Sequence, residues 1–339
     1  MDKNITYSSF LFNKKKDKNN VFEIYKNSNI LLNTYSRIAL FQILKLHNKK
    51  EIQNIYMPSL ICRDLLSAIH NLNYKIHYYD VDKKLNPIFS DNIKIDIIII
   101  VNYFGFSQNL TNFTNYINNN KCITIEDNSH GFLSKDSDGL FLGTRLNYGF
   151  ISIYKSLNIF NGSILINNTK NTFKEKKLIR KFNLSYNLKR FIYFTIFNSP
   201  NINFKIFNFI KLIKKLINFN KSKINIDEFN LPNDKIIYEN INLKFMPFDY
   251  IKEISRRRNT YLFIDNLLKN EKIKPIFSKL DENTVPYCYP FYCESHNLKK
   301  LHKILSQYNF IIVKWPELPS EIKTKPNFYD KLYFITFKI

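Results

Sequence analysis

Ile123-Thr124-Ile125-Glu126-Asp127-Asn128-Ser129-His130-Gly131 and Gly149-Phe150-Ile151-Ser152-Ile153-Tyr154-Lys155, the second followed by Asn161-Gly162-Ser163, are the stretches on which the fold turns. Each reads as a short, largely apolar strand that runs out into polar residues. All six glycines of the 339-residue chain lie between Gly105 and Gly162, around these two stretches. A chain so poor in glycine keeps it where the backbone must take positive φ or approach something closely. An aspartate at one strand end and a lysine just past another sit inside that window.

Working outward, strands and helices alternate. The spacing predicts a helix over Asn33–Leu46, starting at Thr34 or Ser36, with Ile38, Leu40, Phe41 and Leu44 on its apolar face. A strand over Ile52–Met57, a helix over Arg63–Asn71 and a strand over Lys75–Asp80 follow. Asp96-Ile-Ile-Ile-Ile-Val101 is a continuous apolar run, as a parallel strand buried on both faces requires. A helix over Leu110–Asn119, a strand over Cys122–Glu126 and strands over Tyr148–Ile153 and Ile164–Asn167 complete this half. Such alternation implies an α/β layer architecture with a mostly parallel sheet. The second half differs: a charged helix over 249–270, strands over Pro286–Glu294, Phe310–Lys314 and Lys331–Phe337, and a helix over Leu298–Tyr308 make a small α+β domain. The expected organisation is an N-terminal arm over 1–30, a large α/β domain over 31–170, a basic aromatic helical insertion over 171–223 and the small domain over 224–339.

Composition narrows the function classes. A hydrophobic content of 45% is ordinary for a globular protein. No run of about 18 apolar residues predicts a membrane span, and residues 1–20 lack the apolar segment of a secretory signal. Four cysteines, Cys62, Cys122, Cys288 and Cys293, do not suggest a disulfide framework, so a reducing cytoplasm is the expected location. Cys288 and Cys293 with His296 and His302 fit no standard zinc spacing, and no metal is expected. The net charge of +23 invites a nucleic-acid reading. Enrichment in Asn, Ile, Lys, Tyr and Phe points instead to codon bias, and no nucleic-acid module is recognisable. The basic excess is uneven, however: residues 171–223 hold thirteen Lys/Arg and one acid, Glu175.

The residues around Lys155 suggest chemistry. Strand, Ser152, Lys155, a glycine-containing turn and another strand follow in an order that suits a pyridoxal phosphate enzyme. There, lysine forms the Schiff base and an aspartate pairs with the ring nitrogen, so that the ring acts as an electron sink. The amine must be partly neutral, which burial and the cofactor's charges can provide. Asp127, at the end of an apolar strand, is placed to reach a ligand at the sheet's carboxyl edge; a turn or N-cap aspartate is the alternative. Glu126 should point the other way. His130 could donate to the cofactor's phenolic oxygen or be a satisfied structural histidine. Ser36 and Arg37 open the first helix, where amides, a hydroxyl and a guanidinium make an anion site; simple capping by Ser36 competes. Tyr103 and Phe104 either pack on cofactor or substrate, or belong to the core.

With these residues in hand the chain resembles the DegT/DnrJ/StrS-type sugar aminotransferases, fold-type-I pyridoxal phosphate enzymes. The resemblance runs from about Asn33 to Phe337. It rests on Tyr35-Ser36-Arg37-Ile38-Ala39-Leu40, Met57-Pro58-Ser59, Tyr79-Asp80-Val81-Asp82, Tyr103-Phe104-Gly105-Phe106, Glu126–His130, Ser152–Lys155, Arg257-Arg258-Asn259 with Tyr261, and Trp315-Pro316-Glu317-Leu318-Pro319. It implies an α/β fold-type-I architecture with a smaller C-terminal domain. Lys155 would carry the cofactor and shuttle the proton, Asp127 would hold the ring nitrogen, and His130 would contact the ring oxygen. Ser152, Ser36 and Arg37 would bind phosphate, with Tyr103 at the cofactor. It further implies a homodimer converting a nucleotide-linked keto sugar to an amino sugar, with glutamate as donor, for cell-surface polysaccharide. Cys62 stands where the family often stacks an aromatic, and Gly162-Ser163 where it has Gly-Gly. Two residues, rather than the more common four, separate Ser152 from Lys155.

A catalytically degenerate homologue, acting as a binding or scaffold protein, is the alternative. Within the basic segment, Lys205, Asn208, Lys211, Lys214, Lys215 and Asn218 trace a polar stripe on a helix over 204–219. That helix would either lie on an anionic membrane surface or pack on its own domain or a partner subunit.

Overall fold

The computed structural model describes residues 25, 28–89, 93–157, 161–173, 178–181, 226–238, 249–308 and 310–337. The chain enters the fold as β1 (Asn29–Asn33) and turns into α1 (Ser36–His47), then runs through β2 (Gln53–Pro58), β3 (Tyr74–Val81) and the short β4 (Pro87–Ile88). The Ile-rich run is β5 (Ile97–Val101); α2 (Thr111–Asn120), β6 (Ile123–Asp127) and β7 (Tyr148–Ser152) follow. A single turn of helix, α3 (Ile153–Ser156), then leads towards β8 (Ser163–Asn167).

These strands form one eight-stranded sheet in the order β1-β8-β7-β6-β5-β2-β3-β4. The five central strands, β3-β2-β5-β6-β7, are parallel; β4 pairs antiparallel on one edge, and on the other β8 runs antiparallel to β7 while β1, antiparallel to β8, runs with the central strands again. All five residues of β5 are buried. Burial on both faces explains why its sequence shows no alternation, and each side chain contributes about 1.5–3 kcal/mol of apolar stabilisation. Sequence order reverses between β2 and β5: the chain goes outward from β2 to β3, then returns past β2 to build β5, β6 and β7. The carboxyl ends of β5 and β6 lie level, Val101 opposite Asp127, and Asp127 is in turn opposite Phe150 of β7. In open α/β sheets this switch point is where ligands bind.

Two glycines hold the arrangement together. A Cβ on Gly149, in β7, would lie 1.9 Å from the Gly143 carbonyl oxygen. Gly105 has φ +90°, and a Cβ there would come within 2.7 Å of the Val285 carbonyl oxygen. That contact is the seam between the large sheet and the C-terminal region.

Beyond β8, the described residues include β9 (Ile179–Lys181), α4 (Ile226–Phe229) and β10 (Ile236–Tyr238), with β9 and β10 paired in parallel. The C-terminal region starts at α5 (Tyr250–Leu268), whose first amides are capped by Asp249. It continues through β11 (Cys288–Tyr292), α6 (Leu298–Ser306), β12 (Ile311–Lys314) and β13 (Leu332–Thr336). The three strands form an antiparallel sheet in the order β11-β13-β12. Its buried residues join the same core cluster as β2, β5 and β6.

The expected α/β architecture with a small C-terminal α+β region is present. Local differences have local causes. Asn29–Asn33 is a strand that the sequence reading did not place; three apolar residues flanked by asparagine carry too little pattern to announce it. Residues 63–68 wind as a 3-10 helix rather than an α-helix, since the chain must reach β3 by Tyr74 and i→i+3 bonds suit short connections. The three-residue β9 is too short for a sequence period. The stripe over 204–219 lies outside the described residues. Among those described, no helix is long and apolar enough to cross a membrane.

Candidate active site

A cavity of about 310 Å³ opens at the switch point. The loops after β2, β5, β6 and β7 line it from the large sheet, and Tyr287, Trp315, Pro316 and Phe334 close it from the C-terminal region. Its size is that of a small-ligand site.

Lys155 and Asp127 both border this space. β7 ends at Ser152, and α3 carries Lys155 three residues on. The Lys155 Nζ lies 3.2 Å from His130 Nε2. Burial works to lower the lysine's pKa, but Tyr154, Tyr287, Cys62 and Asp127 around it outweigh that effect and the value is raised. Burial therefore does not by itself neutralise the amine. Burial, with the Lys155 charge adding, holds His130 well below the usual histidine range. A neutral imidazole beside an ammonium can only accept, which assigns the ring proton to Nδ1. The His130 ring lies parallel to Tyr287, centroids 4.6 Å apart at 2°, and near-parallel to Phe104 at 6.0 Å and 18°. Phe104 adopts φ 57°, a left-handed backbone rare for a bulky residue and often found at functional sites.

Asp127 is 7% exposed and its Oδ1 accepts the Ser129 N–H at 2.9 Å. It is thus a turn aspartate and a cavity residue at once. Burial pushes its pKa up, against the Ser129 hydrogen bonds and the Lys155 charge. A carboxyl in that condition is stabilised by a cationic partner. Glu126, fully buried, faces away as alternation requires: its Oε1 accepts from Arg145 Nη2 at 2.6 Å, Arg145 Nε at 2.8 Å and Asn102 Nδ2 at 2.7 Å.

At the start of α1 three buried hydroxyls meet. Ser36 Oγ lies 2.5 Å from Ser152 Oγ and 3.3 Å from Ser163 Oγ. Ser36 does not cap the helix: the N-cap is Tyr35, with no side-chain cap bond. Arg37 borders the cavity beside them, 3.7 Å from Asp64. Its Nη1, the atom at that distance, is buried and has no hydrogen-bond partner among the described residues.

Six of the expected site residues, Lys155, Asp127, His130, Ser152, Ser36 and Arg37, therefore converge on one cavity. Tyr103 does not. It is 2% exposed, its hydroxyl donates to the Leu60 carbonyl at 2.8 Å, and Val101 and Asn102 border the cavity in its place. The 3-10 turn Tyr103–Gly105 after β5 carries its ring into the core. Tyr154, Tyr287 and Trp315 are wall residues that the sequence reading did not place. Tyr154 and Trp315, the chain's single tryptophan, stood in quoted motifs and were the available signals; Tyr287 offered none.

No protein-family model and no curated protein matches the chain. Solved structures do match its shape. A DegT/DnrJ/EryC1/StrS aminotransferase from Brucella abortus superposes with TM-score 0.58 at 12% identity, over 93% of this chain and 82% of that one. Helicobacter pylori PseC, an aminotransferase involved in the biosynthesis of pseudoaminic acid, gives 0.61 at 12% identity, over 93% and 83%. NtdA of Bacillus subtilis, solved with bound cofactor PMP, gives 0.55 at 14%, over 93% and 72%. The chain has the fold of these aminotransferases.

Proposed function

We propose that this protein is a pyridoxal phosphate-dependent sugar aminotransferase of the DegT/DnrJ/StrS type. The observation that carries the reading is the Lys155 amine in a switch-point cavity, against His130 Nε2, with the buried carboxyl of Asp127 at the next strand end. The residues present fit the cofactor. Arg37 Nη1 is buried with no hydrogen bond among the described residues, though Asp64 lies 3.7 Å away, and the Ser36, Ser152 and Ser163 hydroxyls gather at a helix start, which suits a phosphate. Asp127 suits a ring nitrogen that must stay protonated.

When bound, pyridoxal phosphate supplies an electron sink for the charge left when a proton leaves the carbon bearing the amino group. Lys155 would hold the cofactor covalently, and its amine, when free, would be the base that takes that proton and passes it on. Asp127 would hold a positive ring nitrogen and so keep the sink effective. His130 orients the lysine amine and, as the resemblance suggests, contacts the ring oxygen. Arg37, Ser36 and Ser152 hold the phosphate, while Tyr287 and Trp315 help exclude water. In the same reading the acceptor is a nucleotide-linked keto sugar, the donor glutamate, the product a precursor of cell-surface polysaccharide, and the protein a homodimer.

Borohydride reduction of pyridoxal phosphate-loaded protein, followed by peptide mapping, should place the label on Lys155, and Lys155→Ala should abolish it. Label on another lysine, or none in the wild type, would sink the assignment. Product mass spectrometry with nucleotide keto sugars and glutamate tests the substrates.

A further inference from the structure

Arg257 lies on α5, in the C-terminal region, and is 3% exposed. Burying a guanidinium is costly unless its donors are matched, and burial lowers its pKa against the pull of Glu253. Its partners explain the expense. Nη2 donates to the carbonyl of Ser156, the residue after Lys155, at 2.9 Å. Nη1 donates to the carbonyl of Tyr287 at 3.3 Å. Nε donates to Glu253 Oε1 at 2.7 Å, one helical turn earlier, and Glu253 is itself held by Arg256 at 2.8 Å.

The two carbonyls belong to the lysine's own turn and to the segment that stacks on the lysine's neighbour. Ser156 closes the turn bearing Lys155. Tyr287 opens the segment that stacks on His130, whose Nε2 faces Lys155 Nζ. One planar guanidinium thus spans the lysine turn and the wall that aligns the lysine's partner. Arg's rigid planar fork can join both in one fixed geometry, whereas the flexible ammonium of Lys holds no such fork.

We propose that Arg257 is a positioning residue for Lys155. It ties the α3 turn to the Tyr287 segment and so sets the lysine amine against His130. Its consequence for turnover rests on the proposed aminotransferase reading; the positioning itself does not.

The adjacent Arg258 is the internal control. It also bonds backbone carbonyls, those of Asp281 at 2.6 Å and Thr284 at 2.7 Å, but neither residue borders the cavity. The test compares cofactor-free wild type, Arg257→Met, Arg257→Lys and Arg258→Lys. Competitive acetylation of Lys155 is followed against pH by peptide mass spectrometry, alongside thermal melting. Loosening the anchor should separate Lys155 from the neighbours that raise its pKa. The midpoint should fall by about half a pH unit or more in Arg257→Met, a roughly threefold rise in labelling at fixed pH, and by less in Arg257→Lys. Arg258→Lys should lower the melting temperature and leave the midpoint unmoved. If Arg257→Met does not fold, Arg257→Lys decides. A Lys155 midpoint equal to wild type in the folded Arg257 variants would overturn the proposal and leave Arg257 a brace. Loaded with pyridoxal phosphate, Arg257→Lys should lose on the order of 10²-fold in kcat, as for about 1 Å of misplacement, with KM for the donor little changed. Failure of the wild type to take up pyridoxal phosphate would count against the aminotransferase reading alone, because the acetylation experiment uses no cofactor.

Discussion

At Asp127 the proposed role of holding a ring nitrogen runs against stability. Its carboxyl is buried with a raised pKa, so in the cofactor-free protein the ionised form is disfavoured by folding. Below the usual carboxylate range the group is neutral in folded and unfolded chains alike and has no effect. As pH rises through the unfolded-state value the unfolded chain ionises first and gains, and the folded state loses stability until its own raised pKa is passed. Asp127→Asn keeps the shape and removes the charge. At neutral pH the cofactor-free Asn variant should therefore melt higher than wild type, with the gap closing in acid. Turnover should move the other way, falling on the order of 10²–10³-fold with loss of the electrostatic partner. Equal melting curves at all pH values, or near wild-type turnover, would show that this carboxyl neither strains the fold nor holds the ring nitrogen.

Among the elements, β7 is tightly constrained. It lies between β6 and β8, its five residues are all buried, and it delivers Ser152 and Lys155 to the cavity. Gly149 lets the Gly143 carbonyl pass within a distance no side chain tolerates. Gly149→Ala should force the 143 loop or β7 to move, destabilising by about 1–3 kcal/mol as overpacking does. Urea denaturation measures that loss. Because β7 sets the Lys155 position, pyridoxal phosphate uptake should weaken with it. A variant as stable as wild type would mean that the loop yields freely and that the strand's glycine is not required.

At the scale of the whole molecule, the site is closed by residues far along the chain. Trp315 follows β12, yet its ring meets Tyr103 at 5.9 Å, Phe104 at 5.2 Å and His130 at 6.2 Å. It is 5% exposed and borders the cavity. As the chain's single tryptophan it reports on the seam between the two regions. Its emission should be that of a buried indole and should be quenched when pyridoxal phosphate binds, and Lys155→Ala should weaken the change at limiting cofactor. Water-exposed emission, or emission indifferent to saturating cofactor, would mean that the C-terminal region does not close over the site.

The amino-acid sequence by itself determined the layer architecture, because a run such as Ile97–Val101 is stable only between two covered faces and alternation of strands with helices leaves few other solutions. It also determined which polar residues end the strands, and hence that Asp127, His130, Ser152 and Lys155 gather at one sheet edge. Local periodicity reaches no further. Whether Tyr103 faces ligand or core depended on a 3-10 turn, and Ser36 left its capping role for Ser152 and Ser163, which are brought beside it by the antiparallel pairing of β7 and β8. Tyr287 and Trp315 reached the cavity, and Arg257 the lysine turn, only because the C-terminal region packs back onto the sheet at Gly105. These contacts join residues a hundred or more positions apart, and no local pattern encodes a pairing that close packing alone selects.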